Sequence, residues 1–150
     1  MPEFTIARKI DAPVETVWEF LHDFGDIQAW SAGVKASSLT TDGPVGEGSS
    51  RYCEFSPMGA VDERIDLHIP GERLTVNLYK TYKLPISGAI ADFNITPNDG
   101  GTELTIHYSY TPNLMGRLMR KQTDKQMRKG IGGLATDLKN ASETLVDDRG

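Results

Sequence analysis

The hydrophobic repeat of this chain changes once, and that change restricts its fold more than any other feature. From Val34 to about Thr111, apolar and polar residues alternate in short runs separated by turn signals. After Pro112 the apolar residues fall at helical spacing instead. Met127, Ile131, Leu134, Leu138, Ala141 and Leu145 are separated by intervals of 4, 3, 4, 3 and 4. Strand side chains alternate between two faces, whereas helix side chains return to one face about every 3.6 residues. The expectation is a set of half-buried antiparallel strands closed by one long helix from about Asn113 to Leu145. Gly130, Gly132 and Gly133 interrupt that helix. Each costs about 1 kcal/mol relative to alanine, so a bend or a packing reason is expected there.

The start of the chain adds a strand and two short helices. Phe4, Ile6 and Ile10 share one parity. Asp11-Ala12-Pro13 then opens a helix, since proline tolerates the first turn. Val14, Val17, Trp18, Leu21 and Phe24 form its apolar face, and Gly25 ends it. A second short helical turn is expected over Ile27–Trp30. The strands that follow run over Val34–Thr41, Gly48–Phe55, Val61–Ile69, Leu74–Tyr79, Ala91–Ile95 and Leu104–Tyr110. Turns are expected at Asp42–Pro44, Ser56–Gly59, Pro70–Gly71 and Pro97–Gly101. The resulting fold class is α+β: a curved antiparallel sheet of about seven strands around a long C-terminal helix. One helix covers only part of such a sheet, so a cavity is expected between them.

Composition narrows the function. A chain of 150 residues reads as a single domain, 1–150, with a short tail from about 147. The one cysteine, Cys53, excludes an internal disulfide and a multi-cysteine zinc site. No signal peptide or apolar membrane span is visible, so a soluble cytoplasmic protein is the expectation. The net charge of −5 hides an asymmetry. Residues 1–112 hold 8 basic and 16 acidic side chains, whereas residues 113–150 hold 8 basic and 5 acidic. The acidic total argues against nucleic acid as the main partner. The basic run Arg117, Arg120, Lys121, Lys125, Arg128 and Lys129 reads either as a solvated helix face or as a contact for anionic lipid or RNA.

The order of elements resembles the helix-grip fold of the START-like (SRPBCC) superfamily, in its polyketide cyclase/dehydrase-like branch. Birch pollen allergens and plant abscisic acid receptors belong to the same superfamily. Ile10-Asp11-Ala12-Pro13-Val14-Glu15-Thr16-Val17-Trp18 carries the resemblance. So do Trp30, Gly46-Glu47-Gly48-Ser49-Ser50-Arg51, Glu63-Arg64-Ile65 with Glu72-Arg73-Leu74, and Gly100-Gly101-Thr102-Glu103-Leu104. In the receptors the glutamate matching Glu63 faces the ligand cavity. The loop matching Ser56–Ala60 is a gate, which would make Met58 a lid. An ordinary hairpin turn is the other reading of that loop. The receptor lysine that meets the ligand carboxylate has no counterpart, because Lys35 is displaced from its place.

Parity supports the placement of Glu63 independently. It falls with Val61, Ile65 and Leu67 on the apolar side of its strand, where a carboxylate is either an edge residue or a buried polar group. Arg51, Cys53 and Phe55 share that face in one register, and a one-residue slip turns Arg51 outward. Cys53 reads as a small core residue. His22, His68 and His107 complete no catalytic or metal arrangement; the last two fall on polar parities. The expected ligand-lining set is Trp30, Arg51, Phe55, Met58, Glu63, Ile65, Val76, Phe93, Tyr108, Tyr110, Met115 and Met119.

Three functions fit this reading. The first is binding of a hydrophobic small molecule (a lipid, polyketide or isoprenoid) by a monomer or homodimer without metal or cofactor. The second is a cyclase or dehydratase reaction with Glu63 as the acid–base group. The third is attachment to a membrane or partner through the basic helix.

Overall fold

The computed structural model describes residues 2–149. Its strands are β1 (Glu3–Ile10), β2 (Val34–Leu39), β3 (Ser50–Phe55), β4 (Ala60–Ile69), β5 (Arg73–Tyr82), β6 (Ile86–Asn98) and β7 (Gly101–Pro112). They form one antiparallel sheet in the order β1-β7-β6-β5-β4-β3-β2. Helix α1 spans Val14–His22, a 3-10 helix spans Phe24–Ala29, α2 spans Leu114–Leu118 and α3 spans Arg120–Arg149. The α+β helix-grip architecture is therefore as expected.

Strand alternation selects the buried face. On β5 and β6, Leu74, Val76, Leu78, Ala89, Ala91, Phe93 and Ile95 point inward, and Leu104, Ile106, Tyr108 and Tyr110 continue the surface on β7. Helix α3 packs chiefly on β1, β7 and α1. Met127, Ala135 and Leu138 are buried there, with Ile131 and Leu134 packed against the same core. Burying a side chain of this size contributes about 1.5–3 kcal/mol. Polar contacts fix the helix in place: Arg8 Nη2 donates to Gly132 O at 3.2 Å, and Asp137 Oδ2 accepts from Ala32 N at 2.9 Å.

The C-terminal region departs from the single helix Asn113–Leu145. Asn113 caps α2 by accepting from Gly116 N at 3.0 Å, while its Nδ2 donates to Leu84 O at 2.8 Å. The backbone breaks at Met119, with φ −113° and ψ 49°. Gly116 explains the tight docking of α2, since a Cβ there would collide with the Pro85 carbonyl. The three later glycines do not interrupt α3. Helix also extends through Arg149, which pairs with Glu19 at 3.2 Å, so residues 147–149 are not a free tail.

The strands also run longer than expected. β5 continues to Tyr82 and β6 begins at Ile86. The register against β5 shifts twice: between Asp62 and Glu63 the extra residue, Tyr79, lies on β5, whereas between Ile65 and Leu67 the extra residue, Asp66, lies on β4 and changes its parity. Leu67 therefore pairs with Thr75, and His68 comes opposite buried Leu74. This corrects the assignment of His68 to the polar face. It packs on Trp18 with ring centroids 5.2 Å apart, and its Nε2 lies 3.1 Å from His22 Nδ1. Burial and the neighbouring His22 hold the pKa of His68 below its ordinary value.

Candidate functional site

A buried polar cluster sits on the inner face of β3 and β4. The turn after Phe55 sets its register: Phe55 N donates to Gly59 O at 2.8 Å, and Arg51 then pairs with Glu63 and Cys53 with Val61. Of the two registers the sequence allowed, this one turns Arg51 inward. Arg51 Nε donates to Glu63 Oε1 at 2.8 Å, and Nη1 donates to Phe24 O at 2.9 Å. The guanidinium lies over the Phe24 ring, 3.8 Å from its centroid. Both side chains of the pair are less than a tenth exposed. Glu63 is thus neither an edge residue nor solvated.

Two neighbours share this environment. Cys53 Sγ donates to Glu63 Oε1 at 3.4 Å. Burial, followed by the Glu63 charge, pushes its thiol well above the ordinary range, so the group stays protonated and is a poor nucleophile. Tyr108 is pushed up by burial and then by the same carboxylate. Its hydroxyl keeps its proton and donates weakly to Met127 Sδ at 3.9 Å. Oε1 of Glu63 thus accepts two bonds. Among the described residues, no hydrogen bond to Oε2 is found.

The remaining expected residues fall into three places. Ile65, Val76 and Phe93 belong to the same core as the polar cluster. Tyr110 lies farther along β7, where its hydroxyl donates to Asp124 Oδ1 at 2.6 Å, and burial and Asp124 push it up to about 12. Phe55 and Trp30 are half-buried. Trp30 packs edge-on to Phe20, and its indole N–H is buried without a partner among the described residues. Met58, Met115 and Met119 are exposed at the loop end of the sheet.

Two grooves, of about 330 and 310 Å³, open on the outer face of the sheet. The first is bordered by Lys35, Tyr52, Met58 and Tyr82, and the second by Asn77, Tyr79 and Ile90. Neither lies between the sheet and α3. There, Phe24, Met127, Ile131, Leu134 and Leu138 close over the inward-facing strand residues as one apolar core. Among the described residues, no cluster of three or more histidine, cysteine or acidic side chains is arranged to hold a metal ion. No described helix is long and apolar enough to cross a membrane.

The sheet and the long helix form the helix-grip fold also seen in the birch pollen allergen type. The chain belongs to the family described as polyketide cyclase/dehydrase and lipid transport, whose sequence model matches residues 1–139. The structure is similar to that of TTHA0849 from Thermus thermophilus, with a TM-score of 0.81 at 17% identity, covering 96% of this chain and 99% of that one. It is also similar to XoxI from Bacillus cereus, with a TM-score of 0.79 at 15% identity, covering 97% and 98%. The allergen Ara h 8.0201 aligns with a TM-score of 0.76 at 10% identity, covering 95% and 98%. No curated protein matches the sequence. Family and fold together support a role in binding hydrophobic ligands.

Proposed function

We propose that the protein binds a hydrophobic small molecule against the inner face of β3, β4 and β7, and that Arg51, Glu63 and Tyr108 hold its polar end. The buried Arg51–Glu63 pair carries this reading. Desolvating two charges offsets most of their attraction, and apolar side chains of similar volume would serve stability as well or better. Specific recognition is a reason to keep such a pair. Arg51 supplies a directed cation, Glu63 an acceptor and Tyr108 a protonated hydroxyl. Helix α3 packs chiefly on the β1–β7 side, so the β3–β4 part of the sheet is closed mainly by side chains. Phe24 and the apolar residues of α3 would shift to admit a ligand.

Cys53 and Tyr108 are both held in their neutral forms, which suits them to donate hydrogen bonds to a ligand rather than to act as nucleophiles. The test is a thermal-unfolding screen against fatty acids of increasing length and isoprenoid alcohols. A ligand at a hundred times its Kd adds about 2.7 kcal/mol, a rise of roughly 5–10 °C for a chain of this size. The Glu63→Gln variant should fold and lose most of that rise. An equal rise in both proteins, or none in either, contradicts the proposal.

A further inference from the structure

We propose that α2 and the start of α3 form a docking surface for an anionic lipid bilayer. Four large apolar side chains project here: Leu114 is 72% exposed, Met115 58%, Leu118 76% and Met119 44%. Their exposure follows from the way α2 docks. Gly116 is buried against Pro85, and with about 100° between successive residues the rest of this short helix must face outward. The sequence thus spends two leucines and two methionines on a tip that contributes little to the core.

Charge selects the partner. Between Leu114 and Lys121 the chain carries Arg117, Arg120 and Lys121 and no acidic residue, although the whole protein has a net charge of −5. Among the described residues none of these three cations, nor Lys125, lies within ion-pairing distance of a carboxylate. Arg128, farther along α3, is paired with Asp124. Exposed apolar side chains interspersed along the chain with unpaired cations match the boundary of an anionic membrane, where the apolar groups enter the acyl region and the cations meet phosphates. A dimer through the same tip would bring the two sets of cations together. No described helix can span a bilayer, so the contact is peripheral and reversible. It lies outside the inner face of the sheet and stands whether or not that face holds a ligand.

Sedimentation with phosphatidylcholine vesicles, with and without phosphatidylglycerol, tests the proposal on the full chain. The protein should pellet with the anionic vesicles at least about tenfold more tightly than with the neutral ones, and less so as salt is raised. Replacing Arg117, Arg120 and Lys121 with glutamine should weaken binding roughly a hundredfold, at about fivefold per charge. The double variant Leu114→Ser/Leu118→Ser should weaken it at least about tenfold. Both variants should unfold at the wild-type temperature, because the altered side chains are exposed. No binding, equal binding to neutral vesicles, or binding indifferent to both variants overturns the proposal. So does a concentration-dependent dimer that the leucine variant abolishes, when vesicle binding is absent.

Discussion

The protein uses the same kinds of side chain in two places, in very different surroundings. In one, Arg51 lies 3.8 Å from the Phe24 ring centroid and 2.8 Å from Glu63, whose charge acts on Tyr108. In the other, Arg128 lies 4.8 Å from the Phe4 ring centroid and 2.7 Å from Asp124, which accepts from the Tyr110 hydroxyl. The side chains of the first pair are 8% and 9% exposed, and those of the second 51% and 36%. Water screens the second pair, so it works as an ordinary surface contact. The first has no such relief, and its partners depend on each other. Similar chemistry therefore trims the surface in one place, and in the other it forms the polar end of the proposed site.

The largest effect should come from breaking the buried pair. Arg51→Ala leaves Glu63 buried and uncompensated and should cost about 3–5 kcal/mol in denaturant unfolding. The double variant Arg51→Met/Glu63→Leu should regain most of that stability. A loss below about 1 kcal/mol for Arg51→Ala would mean that the two sites do not differ as described. Next in size, Tyr110→Phe removes the hydroxyl bond to Asp124 and should cost about 1 kcal/mol, read in the same assay. Arg128→Ala should cost less than about 1 kcal/mol, and the loss should shrink as salt is added. A loss as large as that of Arg51→Ala would erase the contrast.

The smallest effect is spectroscopic and needs no variant. Tyr110 is pushed from 10.0 to about 12 by burial and by Asp124. The folded state thus favours the protonated phenol. Its contribution to stability is fully present below the ordinary value of 10.0 and is lost as pH rises toward 12. Absorbance titration should show Tyr52, Tyr82, Tyr108 and Tyr110 ionising after an ordinary phenol, with Tyr108 and Tyr110 the latest. Ionisation of all 5 tyrosines together, at the pH of an ordinary phenol in the folded protein, would contradict this.

The buried pair was legible in the sequence because period-2 alternation states which side chains share a face. Glu63 falls with Val61 and Ile65, and the Ser56–Gly59 turn brings Arg51 opposite it. What alternation cannot show is where it slips. The irregularity beyond Ile65 turns His68 toward Trp18 and His22, and no residue type near Asp66 announces it. The break at Met119 was hidden for a related reason. Leu114, Met115, Leu118 and Met119 have helical spacing, so they read as the start of one long helix. Only the docking of Gly116 on Pro85 reveals that they belong to a separate, outward-facing turn. The covering of the sheet was also beyond the sequence, since it depends on where α3 lies across the strands.

The central claim is that Arg51, Glu63 and Tyr108 hold the polar end of a hydrophobic ligand. Mass spectrometry under non-denaturing conditions tests it most directly, on gently purified wild type beside the folded Arg51→Met/Glu63→Leu variant. The wild type should carry a co-purifying apolar molecule with a polar head, and the variant should lose it. A wild-type protein that carries nothing, or a variant that carries the same molecule in the same amount, would contradict it.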